Sequence, residues 1–481
     1  MQTQRRLKLR SRTGCSRCRS RHQKCDEQRP RCSRCRASSA APCVYRTDSQ
    51  LSPPRGASAQ LRLNNLVRSI SSGYSAFVSL ADPSHGAFLD YFIGDASPAL
   101  CCHETIRHDT CKALVSVGSV VPSLLYSTLL FGALHKAAKG HRGVDSRRAL
   151  DIQTMELRSA ALSLLQTELR RHDRTNSAAV IATTLMLATC ELHFDSEASC
   201  WRSHFDCARL LLAEARREGH DRTDSTGLWR LIDRMYSLME FLVSLPAPWP
   251  SKYTPLVPDS FPQALPCVES VGVIDGNLAC CCDLLDVFKW IKALEEMRQF
   301  SQDYETLDYE LISAHYVRTR ASELVGIVRR MMARDEATPA TLSEDLAGRC
   351  DKALTEEYRK ANSVAHHIAL LFLYRYGLQL DRETDRVRTS VASIVRLAES
   401  MTKREGLHPS IVLTTALFVA GCEATDKARG DVRALLQIQH EVTRNQSAHR
   451  TLQKLEALWR LTSDGSRISP AAIEFDDFIP Y

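Results

Sequence analysis

The sequence predicts two unequal parts, a small cysteine-stapled module at the N-terminal end and a large all-α domain behind it. Three observations carry that expectation. Six of the 18 cysteines in a chain of 481 residues fall between Cys15 and Cys43. The same segment is densely basic. Residues 81–465 show apolar stripes at helical spacing and few alternating strand patterns, and at 44% hydrophobic residues the chain can bury a large core.

The cysteines read Cys15-x2-Cys18-x6-Cys25-x6-Cys32-x2-Cys35-x7-Cys43, and each half opens with Cys-Ser-Arg-Cys-Arg, at Cys15–Arg19 and Cys32–Arg36. A two-residue gap lets both thiolates of one turn reach the same ion, the usual spacing of tetrahedral zinc sites. Two four-coordinate zinc ions need eight ligand positions, which six thiolates supply only if two of them bridge. The pseudo-repeat nominates Cys15 and Cys32 for that role. A secreted disulfide module would need an export signal, and no apolar segment follows Gln4-Arg5-Arg6-Leu7-Lys8. RING and LIM modules use eight ligands, commonly with histidine, and this window holds only His22.

Charge points the same way. Residues 1–46 carry 14 Lys and Arg against Asp26 and Glu27, a net +12, while the whole chain is +7 and the remainder therefore −5. A basic head of this density suits phosphate contact and counterion release. Two zinc ions with six thiolates sum to −2, so some arginines serve to balance the cluster. Arg5 to Arg12 has the composition of a nuclear import signal and equally of a phosphate-binding arm.

The cysteine spacing resembles the fungal binuclear zinc cluster (Zn2Cys6) transcription factors, whose module places a short helix in the DNA major groove. The resemblance implies two zinc ions, one held by Cys15, Cys18, Cys25 and Cys32, the other by Cys32, Cys35, Cys43 and Cys15. It also implies a recognition helix over Arg19-Ser20-Arg21-His22-Gln23-Lys24. Arg21 and His22 take the positions that face base edges, and Arg19 and Lys24 those that hold phosphates. Arg21 can donate bidentately to guanine O6 and N7, which suits the CGG-type triplets of the family. The family's best-known reader is a lysine where this chain has His22, and a neutral histidine offers one donor. Pro30 falls where the family fixes the turn between the two halves.

Residues 47–80 read as a flexible linker, rich in Ser, Pro, Gly and Gln from Thr47 to Gln60. Leu61, Leu63, Leu66, Val67 and Ile70 fall short of the three heptads a coiled coil wants. Dimerisation through the large domain and monomeric binding both stay open. In the body, Leu228, Leu231, Ile232, Met235, Leu238, Met239 and Leu242 form a helical stripe ended by Pro246. Met155, Leu162, Leu165 and Leu169 predict another. Seven prolines from Pro246 to Pro266 divide the body into two helical halves. Ala113–Leu134 is 22 residues without a charge, but its serines, Gly118 and Pro122 suit a buried loop and helix and not a membrane span. Residues 466–481 form an acidic, aromatic tail with the composition of an activation segment; docking of its aromatics on the body is the competing expectation.

A second resemblance covers the body. His85–Phe92, the helix from Ser123 to Lys139, Leu417–Ala424 and Leu455–Arg460 are similar, in this order, to landmarks of the fungal-specific regulatory domain. It implies a helical region that modulates activity, with a coactivator or small-molecule effector as partner. No enzyme constellation occurs. His103 and His108 are five apart, about 140° around a helix instead of on one face. Cys280-Cys281-Cys282 read as buried structural cysteines, and His366-His367 as a core or groove-lining pair. The expectation is a small zinc-stabilised binuclear cluster module followed by a large all-α regulatory domain. Its function would be that of a non-enzymatic, nuclear, sequence-specific regulator of RNA polymerase II genes, bound to duplex DNA and serving one metabolic or secondary-metabolite gene cluster. The alternative is a helical enzyme or ligand-binding protein that uses the cluster as a DNA anchor.

Overall fold

In the computed structural model the described residues are 15, 17, 18, 25, 26, 28, 30–36 and 43, and then 83–463 apart from 141–143, 171–176, 195–200, 218–225, 245–263, 304–306, 405 and 444–445. The linker 47–80, most of the proline-rich stretch and the tail 466–481 lie outside them. The chain divides into two units, Met1–Ser72 and Gly73–Tyr481. In the first, the described residues include one short helix, α1 (Ser33–Arg36).

The second unit is helical. Its elements are α2 (Pro83–Tyr91), α3 (Glu104–Gly118), α4 (Pro122–Ala138), α5 (Val144–Arg170), α6 (Ser177–Phe194), α7 (Trp201–Arg217) and α8 (Leu228–Ser244), then α9 (Cys282–Asp303), α10 (Leu307–Ala337), α11 (Lys352–Phe372), α12 (Asp385–Ser400), α13 (Leu413–Glu423), α14 (Asp426–Thr443) and α15 (Gln446–Ser463). Two-residue strands β1 (Val273–Ile274) and β2 (Thr341–Leu342) pair in parallel. Helices α4, α5 and α6 pack together in the first half; α9 to α15 form a second layer, joined to the first through α8 against α9 and α15 against α6. Helix α8 follows its apolar stripe: Leu228, Leu231, Ile232, Met239 and Leu242 are buried. Met235 and Leu238 line two adjoining narrow voids where α8 meets α3, α6 and α11, beside Arg234, Asn277 and Cys101.

The landmark runs are places where backbones come close. A Cβ on Gly132 would sit 2.9 Å from the Phe88 carbonyl oxygen, so glycine is what lets α4 approach α2. Gly421 on α13 faces Leu455 on α15, and the Trp459 indole N–H donates to the Gly421 carbonyl at 2.9 Å. Gly430, inside α14, has nothing within 4 Å of its Cβ position. Gly132→Ala is therefore expected to destabilise by about 1–3 kcal/mol through overpacking. Gly430→Ala should stabilise by about 0.5–1 kcal/mol through backbone entropy. Urea unfolding of the two variants checks the opposite signs.

Several expectations need correction. The predicted stripe on α5 is on the wrong side. Leu165 is buried, but Met155 is 72% exposed, Leu162 40% and Leu169 36%. The face that packs on α4 is Leu150, Thr154, Leu157, Ala161 and Leu165, where Thr154 and Ala161 let the helices approach closely. The uncharged run at Ala113–Leu134 is the end of α3, a short turn and α4, where a loop and helix were expected. The Ser127 and Thr128 hydroxyls donate to the Leu124 carbonyl at 3.0 and 2.8 Å, so polar residues fit a buried helix. One described helix, α6, is long and apolar enough to cross a membrane, and 78% of it is buried within the fold. His103 is the N-cap of α3, accepting from the Thr105 amide at 3.1 Å. Cys280 and Cys281 are buried core residues as expected, whereas Cys282 is exposed at the start of α9.

A buried polar knot ties the second layer together. On α10, Arg334 donates from Nε to Asp335 at 2.8 Å and from Nη1 to Asp283 on α9. On α11, Asn362 donates to the other Asp335 oxygen at 2.7 Å and accepts from the Cys281 amide at 2.8 Å. Burial opposes the charge on Arg334, but the hydrogen bonds with Asp335 and Asp283 outweigh it and raise its pKa. His366 lies 4.0 Å from Asp335, and burial pushes its pKa down to about 4. A Cβ on Gly272 would meet the Arg334 guanidinium at 2.7 Å, so the chain before β1 runs directly over the knot.

Candidate metal centre and nucleic-acid interface

Among the described residues of the first unit, the buried ones are cysteines alone: Cys15, Cys18, Cys25, Cys32 and Cys35, with Cys43 packed against them. A centre built of thiols calls for a metal to hold it. The sulfur spacing shows what holds it. Cys15 and Cys32 lie 3.9 Å apart, Cys15 and Cys35 3.7 Å, Cys18 and Cys32 3.6 Å, and Cys18 and Cys35 3.9 Å. At a zinc–sulfur bond of about 2.3 Å, the edge of a tetrahedron of thiolates is about 3.8 Å. The sulfurs thus fit zinc.

The grouping differs in detail from the two expected quartets. Cys15, Cys18, Cys32 and Cys35 come together as one set, and Cys25 with Asp26 groups about Cys32. Cys43 also reaches Cys32, with the sulfurs 3.9 Å apart. Cys32 is common to every grouping, and Cys15 and Cys18 each lie within 3.9 Å of both sulfurs of the second Cys-x2-Cys pair.

Backbone hydrogen bonds set this geometry. The Cys43 amide donates to the Pro30 carbonyl at 2.9 Å, which closes the second half on the inter-half turn. The Cys32 amide donates to the Cys43 sulfur at 3.4 Å, and this bond leads in lowering the Cys43 thiol to about 7. Desolvation followed by the neighbouring Cys32 sulfur pushes Cys35 up to about 12, and Cys18 is raised by the same causes. Thiols so crowded become thiolates together only when a cation neutralises them. Sequence reasoning missed Asp26. Both of its oxygens accept from the Ser33 amide at 3.1 Å, which caps α1; hydrogen bonding from the Ser33 side chain, with backbone amides behind it, lowers the Asp26 pKa. An acid ahead of the second Cys-Ser-Arg-Cys is the signal that could have revealed it.

Arg17, Arg31, Arg34 and Arg36 surround the cluster at half-buried or exposed positions. The expected base and phosphate contacts, Arg19, Arg21, His22 and Lys24, lie outside the described residues. A zinc-sized thiolate centre on a strongly basic segment, followed in the chain by a large helical body, belongs to the class of metal-dependent DNA-binding regulators.

The comparison with known families narrows that class. A family model described as the fungal Zn(2)-Cys(6) binuclear cluster domain matches residues 13–52, and one described as the fungal specific transcription factor domain matches residues 87–476. The chain belongs to the fungal specific transcription factors and carries their binuclear cluster. It binds two zinc ions and DNA, and it regulates transcription. No curated protein and no solved structure matches it.

Proposed function

We propose that this protein acts in the nucleus on RNA polymerase II genes. The cluster would present Arg21 and His22 to a CGG-type triplet while Arg19 and Lys24 hold phosphates. Cys15 and Cys32 would bridge the two zinc ions, with Cys18 and Cys25 completing one site and Cys35 and Cys43 the other. The observation that carries this reading is the cysteine-only core, at tetrahedral spacing, on a segment of net charge +12. Control of one metabolic or secondary-metabolite gene cluster is the corresponding biological role, with no catalytic step. A coactivator and a small-molecule effector are the partners the regulatory domain would serve. The narrow voids beside α8 suit at most a small apolar molecule.

Base reading is tested by substitution. Arg21→Ala and His22→Ala are expected to lower affinity for a CGG-containing duplex by about 1–3 kcal/mol and to change affinity for random DNA little. Lys24→Ala should weaken both duplexes alike and flatten the salt dependence. Fluorescence anisotropy over a salt series reads all three. Equal losses on both duplexes for every variant would remove Arg21 and His22 from the reading face.

A further inference from the structure

The loop between β1 and α9 holds a buried amide that no described protein group meets. Asn277 is only 9% exposed. Its backbone is fixed: the Asn277 and Leu278 amides both donate to Asp275 Oδ1 at 2.8 Å, and the Asn277 carbonyl accepts from the Cys102 thiol at 3.2 Å. Two residues on, Ala279 is buried with φ 54°, a conformation that a residue with a Cβ adopts only at a cost. The Asn277 side chain has no hydrogen-bond partner among the described residues, and it lines both voids beside α8. A carboxamide so buried is costly until a partner satisfies it.

The two voids are lobes of one cavity, since Leu100, Cys101, Leu238, Leu242 and Asn277 border both. The space in the lobes and at their mouths is about 520 and 630 Å³, within the range of small-molecule sites. One lobe reaches Met186 on α6, the other Ala365 and Ile368 on α11, so an occupant of both touches the two layers of the body. The walls are mainly apolar, with Arg234 at the first lobe. Its side chain is 10% exposed, its Nη2 donates to Asp345 at 2.6 Å, and Asp109 lies 3.9 Å away. These carboxylates balance the guanidinium and would repel an anion. A neutral oxygen acceptor meets no such opposition.

We propose that this cavity binds a flat, neutral and mainly apolar molecule carrying a carbonyl oxygen, which accepts a hydrogen bond from the Asn277 side-chain amide. The narrowness of the lobes requires the flat shape, the balanced Arg234 the neutrality, and the unsatisfied amide the oxygen. This inference rests on the small-molecule effector proposed above and gives it a place and a chemistry. Its test uses no DNA, so that failure here leaves the reading of DNA by the cluster untouched.

The probe is prodan, a naphthalene bearing a ketone and a dimethylamino group, titrated into the full zinc-loaded chain. Its emission should shift to the blue and saturate at one molecule per chain, and the melting temperature of the helical body should rise with its concentration. Asn277→Ala should keep the wild-type melting temperature of the unliganded chain, since the side chain it removes has no partner. It should weaken prodan binding about three- to tenfold, the range of one hydrogen bond. Binding of 2-dimethylaminonaphthalene, the same ring system without the ketone, should not change. Leu238→Trp, which builds an indole between the lobes, should abolish binding of both molecules. The proposal is overturned if prodan does not saturate on the wild-type chain, or if it binds wild type and Leu238→Trp equally. It is overturned too if Asn277→Ala affects both molecules alike. Should Leu238→Trp melt early, Asn277→Ala with the two molecules decides the matter alone.

Discussion

Cys32→Ser is expected to release both zinc ions and abolish DNA binding while the melting of the helical body stays unchanged. Cys32 is the sulfur common to both candidate ligand groupings, and it lies 3.6 Å from Cys18 and 3.9 Å from Cys15 and Cys43. Removing a bridging thiolate takes a ligand from both ions at once. Removing an outer one, as in Cys43→Ser, takes a ligand from one ion only. Because structural zinc supplies about 10–16 kcal/mol of apparent folding free energy in small modules, nothing else in a cysteine-only core can compensate. Native mass spectrometry of the full chain should therefore find no zinc in Cys32→Ser and at least one ion in Cys43→Ser. Two ions retained in Cys32→Ser would show that Cys32 does not bridge. Chelation of the wild-type protein should reproduce the Cys32→Ser phenotype, with DNA binding lost and the main thermal transition preserved.

Arg334→Leu is expected to cost the helical body about 3–5 kcal/mol, the loss typical of breaking a buried ion pair on one side. The Arg334 side chain is 8% exposed and its partners Asp283 and Asp335 are 6% and 15% exposed. Leucine would leave two carboxylates with no cation, and Asn362 and Cys281 would lose the charge that orients them. Burying unpaired charge is what costs; the pair itself need not stabilise. Combining Arg334→Leu with Asp283→Asn and Asp335→Asn should therefore recover much of the loss. Thermal unfolding of the single and triple variants measures both. Equal melting temperatures for wild type and Arg334→Leu would mean that water or a rearranged side chain satisfies the carboxylates.

The metal centre was legible because chemistry fixes it in one dimension. Two Cys-x2-Cys pairs repeated at short range admit few geometries, and the structure brings their four sulfurs to tetrahedral spacing. Asp26 was not legible, since a capping acid is recognised only once the helix it caps is known. The α8 stripe could be read because one strong apolar face coincides with its packed face. On α5 the large apolar side chains Ile152, Met155, Leu162 and Leu169 are exposed, and the packed face is built from Thr154, Ala161 and three leucines. Apolar periodicity reports that a face is apolar but not what covers it. The Arg334 knot was invisible for another reason: Asp283, Arg334, Asp335 and Asn362 are separated by up to eighty residues, and nothing local distinguishes them from surface charges. Glycines such as Gly132 likewise gain their meaning only from the backbone that passes them.

The two units have unlike cores, one of cysteine sulfur and one of packed helices, and so they answer to different scarcities. When the metal runs short, the first unit loses what holds its described core while the second, whose core of packed helices needs no ion, persists. A chain emptied of zinc then keeps its regulatory body but has no grip on the double helix. If a promoter requires two loaded copies, its occupancy falls with the square of the loaded fraction, so that half-filled protein gives about a quarter of the fully competent pairs. Partial starvation would thus lower promoter occupancy more sharply than the metal content of the protein suggests.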